Sequence, residues 1–524
     1  MVCEVVKIDS NITGLAIAEE VCLKQLPTTA VDGFEPTWFG QEPNSYSDFG
    51  GEVTTVARSP IDPNRQNKKG TVTDLDASGG FNTDFTQNNL TRILQGFFFA
   101  DARVKPSTLS LALGTANTAI TSVDSATKTY AAASGLLPFN KAGYLVKASG
   151  FANASNNGVK TVVSATAGTV VVSEAVINEA APPAAAKLET VGFQFPADDV
   201  AIAVTSGIPA IVAFTIDLTT LGLVPGEWIW LGGDAVGSTF VNNKGFARVS
   251  SISQSTITFD DTTWTPVNEA ATGITLRMFF GTVIKNERGS LIKRRSYNIE
   301  RTLGEGPEAE NPGDQQAEYL EGAVCNELTL NIPQAEKFNA DLTFVACDNT
   351  HRSGAAGDKL KAGTRVAGLG EDAFNTSSDV YRIKMAILDP TTSRPSPLFG
   401  YVTEATLTIQ NGVTPNKAVG TLGAIDTSAA NFVAGGSATA YFNSVAASRA
   451  IRNNADVGFS TIMASRNAGM VFDIPLLGLG GGRNNVEKDA PITVPLETNG
   501  AENVYGYTAM YVNFPYLPNA AMPG

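Results

Sequence analysis

Short runs of alternating hydrophobic and polar residues recur along this chain and predict strands over most of it. EVTTVARSPI alternates, PIDPNRQNKKG supplies turn chemistry, and TVTDLDASGGF resumes the alternation, so residues 52–82 predict a strand pair. Leu328, Leu330 and Ile332 alternate, as do Phe338, Ala340, Leu342 and Phe344. GYVTEATLTIQN (400–411), VAGGSATAYF (433–442) and the stretch from MVFDIPLLG to YGYTAMYVNFPYL add further strands. One segment breaks the pattern. Between residues 84 and 100, Leu90, Ile93, Leu94, Phe97 and Phe98 recur at helical spacing. Asp84 or Thr86 is placed to cap that helix, and its single apolar face predicts packing on a sheet. SVAASRAIRNN predicts a second, short helix.

The middle of the chain repeats a plan. GYLVKASGF, NNGVKTVVSA and GTVVVSE are followed by GEWIWLGG, NNKGFARVSSI and STITFDD. Each set reads as glycine, hydrophobic strand, Asn-rich turn, alternating strand, turn, alternating strand. Gly143 and Gly158 correspond to Gly226 and Gly245, and Asn156-Asn157-Gly158 and Asn242-Asn243-Lys244-Gly245 read as sites for positive φ. EAAPPAAAK (179–187) reads as a loop. The predicted organisation is a body whose first half is 1–104, an inserted β-module A at 105–195, an inserted β-module B at 196–281, and the second half of the body at 282–524. The fold class is mainly β: a β-sandwich or barrel body with a packed α-helix, plus two small inserted β-barrel-like modules. An enzyme rarely gains from two adjacent copies of a chemically bland barrel. A particle subunit does, because each copy dresses an outer surface.

Charge sharpens this. The net charge is −14, which argues against a protein that grips nucleic-acid backbones. It suits a surface past which DNA slides, and ordinary acidic solubility fits equally. Residues 105–281 carry nine Lys/Arg against twelve Asp/Glu, a net of −3, so the remainder carries −11. Cys3, Cys22, Cys325 and Cys347 lack zinc spacing and read as free thiols of a reducing compartment. The sequence shows no N-terminal signal pattern and no membrane-length apolar run.

Candidate chemistry is sparse. His351, the single histidine, sits in the polar stretch CDNTHRSGAAGDK and reads as a solvated loop residue. Asp74 and Asp76 form a D-x-D without a further carboxylate ladder, which reads as a solvated strand face. LGLGGGR (477–483) resembles a nucleotide loop only superficially, since Arg483 stands where the last glycine belongs, and it reads as a flexible loop. Trp228 and Trp230 are either a carbohydrate-binding face or core. Lys293, Arg294 and Arg295 are either a phosphate patch or charges on an edge or intersubunit strand. Trp38, Phe39, Tyr46 and Phe49 lie in a Pro-, Gly- and Asn-bearing segment and pack along their own domain or reach onto a neighbour. These four aromatics and three basic residues are the candidates for self-assembly contacts. No catalytic, metal or cofactor site is predicted.

PNSYSDFGGEVTTVARSPIDPNRQNKKGTVTDLDASGGFNTDFTQNNLTRILQGFFFAD resembles the opening half of major tail tube proteins of long-tailed, siphovirus-type bacteriophages. The matching features are the strand ending near Arg58 and Pro60, a basic–Gly loop with Arg65 and Lys69-Gly70, Asp74, Gly79-Gly80-Phe81, and the helix at 86–98. RRSYNIERTL, YLEGAVCNELTLNIP, GYVTEATLTIQNGVTPNKAVGTLGAID, GGSATAYF and DAPITVP extend the resemblance, which covers 1–104 and 282–524. It implies a structural virion protein, not an enzyme and without a cofactor, made in the host cytoplasm and residing in the tail. Its subunits would form rings, usually hexameric, that stack into a hollow tube for transient, non-sequence-specific passage of DNA. The implied partners are sister copies, the tape measure protein, the tail terminator and baseplate proteins, with no stable membrane association. The inserted modules depart from a minimal tube protein and suit decorations of the exterior. Three other readings stay open: a carbohydrate-binding or adhesin-type β-protein, a carboxylate-based glycosidase, and a baseplate or capsid component.

Overall fold

Strand alternation becomes antiparallel pairing nearly everywhere. A computed structural model describes residues 10–61, 63, 66, 68–305, 315–354, 360–388, 396–399 and 401–523, with 49% of the chain in strands and 7% in helices. Cys3 and Arg65 lie outside the described residues.

The body is woven from both ends of the chain. Gly14–Glu19 lies between Thr37–Gln41 and Tyr297–Glu305. Tyr297–Glu305 then pairs with Gln315–Ile332. This 18-residue strand serves two sheets. Its first part, to Glu321, pairs with Asp348–Gly354, and its second, from Val324, joins Asn339–Ala346 on one side and Val402–Gln410 on the other. The switch falls at Gly322, whose φ of +62° suits glycine and whose added Cβ would press to 3.2 Å from Cys347 Sγ. Beyond it the ladder runs through Gly70–Asp84 to Pro43–Ala57 in one direction. In the other it runs through Val433–Tyr441, Thr493–Gly500 and Ala468–Gly481. Side chains from both sheets close over one core.

The helix is shorter than its periodicity suggests: Thr91–Phe97 rather than 84–100. Asp84 stays in the strand ladder opposite Asn339, and Thr86 caps nothing. Instead the Glu371 carboxylate accepts bonds from Thr86 Oγ1 and Asn88 N, both at 2.9 Å, and from Asn88 Nδ2 at 2.6 Å, which holds residues 86–88 in a turn. Phe99, at φ +48°, ends the helix. Leu90, Ile93, Leu94, Phe97 and Phe98 are all buried in the body core, with Phe97 5.6 Å from Phe344 and Phe98 5.9 Å from Phe432. Gly96 allows the close approach, since a Cβ there would lie 2.7 Å from Cys325 Sγ. The second helix spans Ala446–Arg452.

Two loop expectations give way to strands. His351 lies on Asp348–Gly354, exposed, and its ladder partner is Glu318. Ala468–Gly481 continues as strand through the glycines of LGLGGG, where Gly478–Gly481 pairs with Leu496–Asn499. Glycines hide alternation from a sequence reading without preventing pairing.

The 13-stranded sheet is drawn from residues 120–279 and is internally duplicated. At its centre Lys187–Gln194 pairs antiparallel with Arg277–Phe279. Outward on one side follow Tyr144–Ser149, Gly158–Ala165, Thr169–Val172, Thr129–Ala132 and Ile120–Asp124. On the other side Trp228–Leu231, Gly245–Ile252, Thr256–Thr262, Ile208–Ala213 and Val200–Thr205 occupy the same places, with the short Glu269–Ala270 as a thirteenth strand beyond them. Gly143 and Gly226 have φ of +96° and +90°, and Gly158 and Gly245 have +95° and +140°.

The asparagines before those second glycines do what the sequence did not suggest. Asn156 donates through Nδ2 to Ile177 O (2.9 Å) and Glu179 Oε2 (2.8 Å), and its Oδ1 accepts from Ile177 N (2.7 Å). Asn243 repeats this with Val267 O (2.9 Å), Glu269 Oε2 (2.7 Å) and Val267 N (3.0 Å). Both asparagines are fully buried, so each clamp satisfies polar groups that water cannot reach. Asn156→Ala and Asn243→Ala are each expected to cost about 1–3 kcal/mol in denaturant unfolding, because each removes one donor from a carboxylate and leaves the backbone N–H and C=O of residue 177 or 267 without their partner. A loss below the measurement error at both positions would remove the clamps from the account.

Candidate assembly surfaces

The strand pair Pro43–Ala57 and Gly70–Asp84 changes character along its length. Near Tyr46, Phe81 and Ala77 it packs on the body core. Beyond Gly51 it leaves the body, and Val53, Val56 and Val72 are 49%, 58% and 49% exposed. A two-stranded ribbon with apolar residues in water is marginal alone and suited to a partner. Among the described residues, Pro43–Ala57 pairs with no strand other than Gly70–Asp84, which leaves its other edge without a strand partner, with Phe49 O met there by Arg301 Nη2 at 3.2 Å. Asp348–Gly354 likewise has one strand partner. The D-x-D sits at the root of the ribbon: Lys417 Nζ reaches Asp74 at 2.6 Å and Asp76 at 2.5 Å, and its bond holds the Asp74 carboxyl below the usual range.

The aromatic candidates are anchored on their own chain. Trp38 is fully buried, 5.9 Å from the Tyr319 ring, and donates to Ala362 O at 3.0 Å. Phe39 lies 4.3 Å beneath the Arg92 guanidinium, on the wall of a groove of about 1010 Å³. Tyr46 and Phe49 pack edge to face at 6.1 Å and flank the Arg301 guanidinium at 5.4 and 4.5 Å.

The basic run is not on a strand: residues 292–296 form the approach to Tyr297–Glu305. Lys293 pairs with Asp101, and Arg294 with Asp426 at 3.3 Å and with Thr427. Arg295 meets Glu19 at 3.1 Å, Ala100 O at 2.9 Å and Asp101. All three face carboxylates of their own chain, which answer the charge a phosphate would need. They line a second groove, of about 1040 Å³, together with Glu19, Asp101 and Asp426.

The two tryptophans of module B are core. Trp228 is fully buried and Trp230 nearly so. Trp230 packs at 4.8 Å on Phe246, which in turn meets Tyr381 at 4.9 Å and Phe514 at 5.8 Å. This apolar layer joins module to body and surrounds a buried ion network. Arg248 bonds Asp260 at 2.8 Å and Asp473 at 3.1 Å, while Asp261 receives Arg382 at 3.1 Å and Lys384 at 3.0 Å. Burial works against the Arg248 charge, but the carboxylates of Asp260, Asp473 and Asp261 outweigh it and raise its pKa well above the ordinary value. A second buried pair, Lys105 with Glu227 at 3.1 Å, ties the entry into module A to module B.

A family model described as phage tail tube protein matches residues 10–223 and 212–500. The chain belongs to the phage tail tube protein family. No curated protein matches it. The matched ranges take in residues 105–281 as well as the flanks on which the sequence resemblance rested. As a tail tube protein it is a structural component of the virion tail, in a family that is not an enzyme class. Among the described residues, no group of three or more His, Cys, Asp or Glu is placed to hold a metal, and no helix is long and apolar enough to cross a membrane. Burial pushes the Cys347 thiol up to about 11 and that of Cys325 well above its ordinary value, so neither is primed for thiolate chemistry.

Removing Arg248 tests the junction. Arg248→Ala leaves Asp260 and Asp473 facing each other without their cation, and a loss of about 3–5 kcal/mol is expected in equilibrium unfolding. A loss under about 1 kcal/mol would show that the apolar layer alone holds the module.

Proposed function

We propose that sister copies of this subunit close edge to edge into rings, six per ring as the resemblance implies, and that the rings stack into the hollow tail tube of a long-tailed phage through which DNA passes. The open edge of Pro43–Ala57, continued by a ribbon whose Val53, Val56 and Val72 stand in water on their own chain, carries this reading. Backbone donors and acceptors along such an edge are met by water in a monomer and by a strand of the next copy in an assembly. The charge supports the bore. Residues outside 105–281 hold −11 of the net −14, and a wall of like charge keeps a phosphate polymer mobile. The modules, fused into one sheet and bolted to the body by Trp228, Arg248 and Tyr381, fit the outer surface of such a ring. Sister copies, the tape measure protein, the tail terminator and baseplate proteins are the partners of this reading.

Val53→Asp combined with Val56→Asp tests it. Both side chains are solvent-exposed, so the monomer is expected to unfold within about 1 kcal/mol of the parent. Electron microscopy of the purified parent should show stacked rings of uniform bore, and the double variant should show none. Tubes of normal length from the variant would separate the ribbon from assembly.

A further inference from the structure

Beside the fully buried Trp38 lies a polar cluster that the tube reading leaves unused. Asn298, on Tyr297–Glu305, is 1% exposed. Its Oδ1 accepts a bond from Lys361 Nζ at 2.6 Å, and its Nδ2 donates to Glu20 Oε1 at 2.6 Å. Lys361 Nζ also reaches Glu321 Oε1 at 2.8 Å and lies 4.6 Å from the centre of the Tyr319 ring. The lysine main chain is pinned as well, with its N–H bonded to Tyr319 Oη at 2.9 Å. An amine, a side-chain amide and two carboxylates thus meet in one cluster, in which the Lys361 and Glu321 side chains are 19% and 17% exposed.

We propose that Lys361 and Asn298 condense into an intramolecular isopeptide bond. Glu321 takes a proton from the Lys361 ammonium and frees the Nζ lone pair. Nζ attacks Cγ of Asn298, whose oxygen it already contacts. The new C–N bond forms, the bond from Cγ to Nδ2 breaks, and the second Nζ proton leaves with the departing nitrogen through the Glu20 carboxylate. Ammonia is the only product besides the amide, and it carries off the proton held by Glu321 as ammonium. Nothing is oxidised or reduced, and no co-reactant is needed. The alignment comes from the fold: Glu20 is itself held by Gly322 N at 2.9 Å and Ser296 Oγ at 2.6 Å, so the carboxylate, amide and amine meet only once three sheet strands have paired.

The bond spans 63 positions of the chain and staples the segment that leads into Thr364–Val366 to a central strand of the body. A covalent tie of this kind constrains the unfolded chain as a disulfide does, without depending on redox conditions.

Intact-mass spectrometry of the full folded chain decides the matter. The expected mass is one ammonia below that of the sequence, and proteolysis should release a branched peptide joining the Asn298 and Lys361 segments. Lys361→Arg should restore the full mass and abolish the branched peptide, and Glu321→Gln should slow or stop the loss. A full sequence mass in the parent protein after prolonged folded incubation would overturn the proposal, as would an ammonia deficit without the branched peptide. The parent measurement stands even if a variant fails to fold.

Discussion

A strand satisfies its backbone donors and acceptors only through its neighbours, so a chain built largely from strands is governed by who lies beside whom. Gln315–Ile332 is where this constraint is met most economically. It pairs on both sides along its first part and on both sides along its second, with different strands each time. The two sheets of the body therefore share one continuous strand, and its Leu320, Cys325, Leu328 and Leu330 are buried in the core. The same constraint identifies what the monomer leaves open. Pro43–Ala57 is long and paired along one side only, and its outer half carries valines in water. Those are the features a solitary soluble protein avoids and a polymerising subunit uses.

The duplicated 13-stranded sheet obeys the same logic at a larger scale. Each copy offers a last strand, and the two last strands pair with each other, so duplication ends in a single sheet rather than two beads on a string. The junction to the body then combines an apolar layer around Trp230 and Phe246 with Arg248 between two carboxylates. The apolar layer supplies adhesion. The buried charges fix orientation, because a small rotation would leave an arginine or an aspartate without its partner.

Much of this was legible in the residues. Period-two alternation located the hairpin at 52–82 and the strands near 328–344, and the Asn–Gly turns exposed the duplication. What stayed hidden was set by distant partners. Glu371, remote in sequence, binds Thr86 and Asn88 and shortens the helix that 90–98 so clearly announces. Gly478, Gly480 and Gly481 carry no side chains to alternate, so their strand is invisible in the sequence. Lys293, Arg294 and Arg295 look like a basic patch in isolation because Glu19, Asp101 and Asp426 arrive from three other places in the chain. In the sequence Asn156 and Asn243 look like turn residues, and the signal of their buried clamps is the paired Glu179 and Glu269 at similar distances downstream.

Hydrogen–deuterium exchange measured by mass spectrometry on free subunit and assembled particle compares the open edge in the two states. The account expects the amides of residues 43–57 that exchange rapidly in the monomer to become strongly protected in the tube, while the already paired amides of residues 324–332 change little. Equal exchange across residues 43–57 in both states would contradict it.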